Sequence, residues 1–128
     1  MARELDLDVL AGSYAVARLD PGSPVPEWAY DRTLCALVLT ARELTVVCPA
    51  TAVPDDVPRE GPFRALAVRG PLDFALTGIL EALARPLAEA SIPIFALSTF
   101  DTDLVLVRDD DLAGATAALR AAGHLIHG

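Results

Sequence analysis

A chain of 128 residues, 53% of them hydrophobic, has enough apolar material for one compact domain or two very small modules, which excludes a disordered chain. A net charge of −8 repels phosphate backbones and excludes nucleic acid as an expected partner. No apolar run approaches the roughly 18 residues of a membrane span, and the acidic opening MARELDLDVL lacks the form of a secretory or transit signal, so a cytoplasmic protein without a membrane partner is expected.

Residues 5–19 read as a strand region, clearest at Tyr14–Leu19, and Pro21, Gly22, Pro24 and Pro26 end it. The stretch PEWAYD suits one helical turn with Trp28 inward. Residues 34–40 and 43–48 read as a hairpin with Ala41-Arg42 at its tip and Leu37, Leu39, Leu44 and Val46 on its buried face. In that register Cys35 faces Cys48. A cross-strand disulfide is open, but two reduced core thiols are the expectation, because cytosolic thiols stay reduced and Cys packs as a small hydrophobe. A connector with four prolines follows, and then Phe63–Arg69 alternates as a strand that Gly70-Pro71 stops. The spacing predicts a helix over 73–90 with Leu76, Ile79, Leu80, Leu83, Leu87 and Ala90 on one stripe, kinked at Pro86. Ile92–Ser98 and Asp103–Arg108 read as strands. Asp109–Ala122 reads as a second helix, buried through Leu112, Ala115 and Leu119, and Leu125-Ile126 as a last short strand.

The second half thus reads β-α-β-β-α-β. That pattern predicts an α+β, ferredoxin-like module: an antiparallel sheet in the order 4-1-3-2 with its helices on one face. The first half resembles the same unit with its helices eroded, since Glu43–Val47 can be laid on Asp103–Val107. Two modules in tandem are therefore expected, at residues 1–60 and 61–128.

This topology brings the Gly70–Thr77 loop and the Ser98–Asp103 turn to one end of the sheet. A helix starting at Asp73 offers unpaired N–H groups to a carboxylate, and Gly78 lets a ligand come close. Asp101 and Asp103 offer charge to an ammonium or guanidinium. Ser98, Thr99 and Thr102 add hydroxyls and Phe100 an apolar wall. Together these groups suit an amino-acid zwitterion. A structural reading stands beside this one: Asp101 capping a turn, Asp103 exposed at a strand start, Asp73 serving as a helix N-cap. Arg69 is the internal candidate to pair with Asp103. RDDDL at 108–112 is a helix start, because acids in a first turn suit the helix dipole.

The catalytic inventory is thin. All ten basic residues are Arg, so Schiff-base and Walker-lysine chemistry are excluded. There is no GxGxxG, HExxH or CxxC, and the only histidines, His124 and His127, lie at the end of the chain, where solvation is expected. No cofactor, metal or catalytic site is predicted.

The stretch GPLDFALTGIL followed by AEASIPIFALSTFDTDLVLV resembles an ACT domain, in particular the small bacterial tandem-ACT proteins related to the ACT modules of CASTOR arginine sensors and of aspartate kinase. YAVARL, PEW and ELTVVCP extend the resemblance over roughly residues 5–126. The resemblance implies a regulatory, non-enzymatic protein that binds an amino acid or similar metabolite, cationic ones included, where modules meet. It places Asp73, Phe74, Leu76, Thr77, Gly78 and Ile79 on the ligand loop. Thr99, Phe100 and Asp103 fall on the Thr-Phe-x-x-Asp stretch that lines the pocket in CASTOR-like modules. Ser91 stands where the family has Gly after the helix. The alternative is an interaction module with a vestigial pocket, and both a homodimer and a separate partner protein are open.

Overall fold

Leu5, Leu7 and Val9 alternate with Asp6 and Asp8, the period-two pattern of a half-buried strand. In the computed structural model, which describes residues 4–73 and 75–128, that stretch forms β1 (Asp6–Val9). In chain order follow β2 (Tyr14–Leu19), β3 (Ala36–Leu39), β4 (Leu44–Pro49), β5 (Arg59–Val68), α1 (Ile79–Glu89), β6 (Phe95–Ser98), β7 (Asp103–Arg108), α2 (Leu112–Ala121) and β8 (Leu125–His127). The chain separates into two compact units. One joins the described residues up to Leu10 to Arg64–Gly128; the other is Ala11–Phe63. The alternating apolar row of β1, Leu5 and Leu7 with it, belongs to the core of the unit formed by the second half.

In that unit the strands lie in the order β8-β1-β5-β7-β6. This is the expected ferredoxin-like arrangement with one strand added. The 4-1-3-2 order would set β8 beside β5, but β1 lies between them, antiparallel to β5 (Leu7 opposite Val68) and parallel to β8 (Leu7 opposite Ile126). The β1–β5 and β6–β7 pairs are antiparallel, and the β1–β8 pair is parallel. Leu5, Leu7, Leu66, Val68, Val105 and Val107 form one face and pack with Ile79, Leu83, Leu87, Ala115 and Leu119, so both helices cover that face.

Helix α1 begins six residues later than predicted. Asp73 does cap a turn, but a local one: its carboxylate accepts from the Ala75 N–H at 2.9 Å and its carbonyl from the Leu76 N–H at 3.0 Å. The helix N-cap is Gly78, with φ of 79°. Its buried stripe is correspondingly narrow: Ile79, Leu83 and Leu87 are covered, while Leu76 and Leu80 are about two-fifths exposed, at 40% and 42%.

Pro86 does not end α1. A proline at this position cannot donate to the carbonyl four residues back, that of Ala82. His124 supplies the missing donor: its Nε2 lies 2.9 Å from the Ala82 carbonyl oxygen. Its Nδ1 accepts from the Leu5 N–H at 3.1 Å. The expected solvation of His124 is therefore wrong; at 3% exposure it is the buried polar link between β1, α1 and the start of β8. His127 is half-buried and bonds Asp6.

After α1 the chain turns through Ser91 at φ 60°, a left-handed conformation. The Ser91 N–H donates to the Ala88 carbonyl and the Ile92 N–H to that of Leu87, both at 2.9 Å, the paired bonds of a Schellman cap. A non-glycine residue there costs roughly 1–2 kcal/mol, against which glycine loses about 0.5–1 kcal/mol of extra chain entropy. Ser91→Gly is expected to raise stability by up to about 1 kcal/mol. A urea midpoint that stays or falls in the variant would show that the turn is not strained.

The Ala11–Phe63 unit has the strand order β3-β4-β2 followed by the first part of β5. Among its described residues there is no α-helix, only 3-10 turns at Glu27–Ala29 and Ala50–Ala52. Ala15, Ala17, Ala29, Leu44, Val46, Cys48 and Val53 form its core, with Trp28 and Leu37 packed against it. Leu39, expected on the buried face, is 63% exposed because it closes the edge strand β3. The proline-rich connector is held by Arg59, whose guanidinium donates to the carbonyls of Val53 (3.0 Å) and Val57 (3.2 Å).

Candidate functional site

The hairpin β6–β7 ends on the pair Ser98–Asp103. In its four-residue loop the Thr99 N–H donates to the Thr102 carbonyl at 2.8 Å, and the Thr99 hydroxyl accepts the Thr102 N–H at 3.1 Å. The Ser98 hydroxyl donates to Asp103 Oδ1 at 2.6 Å. Most of the polarity in this turn therefore serves its own backbone. The rest docks it to the loop after β5. The Thr102 hydroxyl donates to the Val68 carbonyl at 2.6 Å, and the Leu72 N–H donates to the Asp101 carbonyl at 2.7 Å. Gly70 makes the close approach possible, since a Cβ there would sit 3.0 Å from the Asp101 carbonyl oxygen.

Between the docked loops and the start of α1 lies a cleft of about 170 Å³. Of the residues expected from the sequence it gathers Asp73, Leu76, Ile79, Ser98, Thr99, Phe100, Asp101, Thr102 and Asp103, and it adds Leu72. Thr77 and Gly78 are exposed on the loop and do not line it. Phe74 lies outside the described residues. Leu72 was missed because an apolar residue after Gly-Pro carries no polar signal of its own.

The register of β7 explains why Asp103 reaches the cleft. It shares a face with Val105 and Val107, which pack under the helices, whereas Leu104 and Leu106 point to the opposite face. Arg69 does not neutralise it. That guanidinium is engaged by Asp8, with Nε at 2.9 Å from Oδ2 and Nη2 at 2.8 Å from Oδ1. The Arg69 bond holds the Asp8 carboxyl below its ordinary range. Among the described residues no cation pairs with Asp103, and its Oδ2 and the Asp101 carboxylate carry no hydrogen bond.

The cleft is thus lined by three carboxylates and no basic side chain. Ile79, the first residue of α1, lies at its wall, and no side chain caps that helix. The first N–H groups of a helix have no partner within it and carry its positive dipole end. Negative side chains and a positive backbone terminus therefore border the same space. Among the described residues no group of His, Cys, Asp and Glu is arranged to hold a metal ion, and no helix is long and apolar enough to cross a membrane.

A family model described as the ACT domain matches residues 59–121, and a model of an N-terminal domain matches residues 12–56. An Agobacterium tumefaciens protein solved by a structural-genomics consortium is 36% identical, with a TM-score of 0.92 over 98% of this chain and 94% of that one. A Vibrio cholerae protein of unknown function, described as a possible transport protein, is 19% identical with a TM-score of 0.76, over 93% of this chain and 90% of that one. Aspartate kinase from Clostridium acetobutylicum shares the fold at 12% identity and a TM-score of 0.66, over 91% of this chain and 34% of the kinase. The fold and the family match agree: the chain is a small ACT-domain protein whose ACT domain spans residues 59–121.

Proposed function

We propose that the protein is a non-enzymatic regulatory module that binds an amino acid in the cleft at the start of α1. The ammonium group pairs with Asp103, and the carboxylate meets the N–H groups of the first helical turn. The observation that carries this reading is Asp103 itself: a carboxylate with one oxygen uncommitted, lining a cleft that is also lined by Ile79, the first residue of a helix with no side-chain cap. The ACT family, whose modules bind small metabolites, supports it. With Asp73 and Asp101 also at the wall, a ligand side chain carrying a positive charge is favoured and an acidic one is repelled.

A second reading is an interaction module, and a separate observation favours it: Phe100 is 82% exposed and lines the cleft together with the exposed Leu76, an apolar rim. The two readings part in a thermal-shift panel of the twenty amino acids. A ligand that binds only the native state stabilises by about 2.7 kcal/mol at a hundredfold excess over its dissociation constant. A saturable rise with at least one amino acid, and none with aspartate or glutamate, is expected. A flat panel at high concentration would overturn the sensor reading and leave the rim as the functional surface.

A further inference from the structure

Cys35 and Cys48 are free thiols in the Ala11–Phe63 unit, the first half-buried and the second buried. The β3–β4 ladder runs from Leu39 opposite Leu44 to Ala36 opposite Val47. One step further in the same register, Cys35 stands opposite Cys48. Whether two facing cysteines can be joined depends on the kind of pair they occupy. In an antiparallel ladder, hydrogen-bonded pairs with Cα atoms about 5.5 Å apart alternate with closer, non-bonded pairs at about 4.5 Å. At the hairpin tip the Thr40 N–H donates to the Glu43 carbonyl at 3.0 Å, which marks 40/43 as a bonded pair. Counting back, Val38/Thr45 and Ala36/Val47 are bonded pairs, while Leu37/Val46 and Cys35/Cys48 are the close, non-bonded ones. A separation of about 4.5 Å falls within the roughly 4.4–6.8 Å over which disulfides form. Both side chains are on the face that carries Leu37, Leu44 and Val46. Burial pushes the Cys48 thiol up to about 11, and the neighbouring Cys35 adds to the shift.

We propose that Cys35 and Cys48 are a cross-strand dithiol that closes to a disulfide by exchange with a small-molecule disulfide, fastening the edge strand β3 to β4. Cys35 is the entry point because it is the more accessible thiol. Its thiolate attacks one sulfur of the small disulfide, forming a mixed disulfide and releasing one small thiolate. The Cys48 sulfur, on losing its proton, then attacks Cys35 Sγ and expels the second small thiolate. The protein loses two protons and two electrons, and the small disulfide takes them up to become two thiols. A high thiol pKa makes the second step the slower one, since only the thiolate attacks. The latch would matter most at this strand. Residues 36–39 carry no charge, β3 has a neighbour on one side only, and Val38 and Leu39 are exposed. An uncharged edge of this kind is prone to fray or to pair with another chain.

The test is to treat the native full chain with oxidised glutathione at mildly alkaline pH and to follow its intact mass without reductant. The expected product is lighter by two hydrogens, arises through a transient glutathione adduct on Cys35, and melts several degrees higher until reductant returns it. In Cys48→Ser the adduct should persist instead of resolving, which fixes the order of the steps. A persistent adduct on the wild-type chain, or an unchanged mass with both thiols still open to alkylation after unfolding, would overturn the proposal.

Discussion

Replacing His124 by alanine is expected to destabilise the protein by about 3 kcal/mol, since a buried donor and a buried acceptor each lose a partner at roughly 1–3 kcal/mol apiece. The Leu5 amide reaches Nδ1, so that nitrogen must present a lone pair. The ring proton is then on Nε2, where it meets the Ala82 carbonyl. This assigns a neutral imidazole of one tautomer, fixed by two backbone groups. The reason it is needed is Pro86, which leaves the Ala82 carbonyl without its helical donor. The two residues should therefore be coupled. In a Pro86→Ala background the helix supplies its own N–H, and His124→Ala should cost about 1 kcal/mol less than in the wild type, within the usual range for residues sharing a network. Urea unfolding of the four proteins measures this. Strict additivity would mean that His124 does not serve the gap left by the proline.

Asp103→Ala should abolish the thermal shift given by whichever amino acid scores in the panel, a loss of the whole ligand-induced stabilisation. Its effect on the unliganded protein should be small. The carboxylate is half-buried, accepts only the Ser98 hydroxyl and pairs with no cation among the described residues, so its removal costs about one ordinary hydrogen bond, roughly 1 kcal/mol. Calorimetry on the two proteins separates the possibilities. Equal affinity would take Asp103 out of the site and leave its place at the cleft a consequence of strand register alone. A variant that fails to fold would show the Ser98–Asp103 closure of the hairpin to be structural.

What was legible in the sequence was whatever has a local period or a local breaker. The alternation of Tyr14–Leu19 and Phe63–Val68, the 79/83/87 spacing of α1 and the glycine after α2 each specify an element without reference to distant residues. The end of the sheet where Asp73, Thr99 and Asp103 gather was also legible, because the β-α-β-β order dictates it. Long-range facts were not. Nothing near His124 says that a proline on another element lacks a donor, and nothing in the β1 stretch names β5 and β8 as its neighbours. The start of α1 was misplaced for a different reason. Asp73 has the chemistry of an N-cap and performs it on an isolated turn, and only the left-handed Gly78 shows where the helix begins.

The position of β1 bears on how the chain is made. Leu5 is bonded to His124, 119 positions later, so the start of β1 finds a partner among residues that are made long after it. Contacts this distant in sequence slow folding, because the connecting loop must be closed before they return any stability. Ala11–Phe63, by contrast, is contiguous and has its partners as soon as it is complete. During synthesis the intervening unit can close while β1 waits with one row of apolar side chains and two unpaired edges. The alternating Asp6 and Asp8 give that waiting strand charges that discourage pairing with other chains.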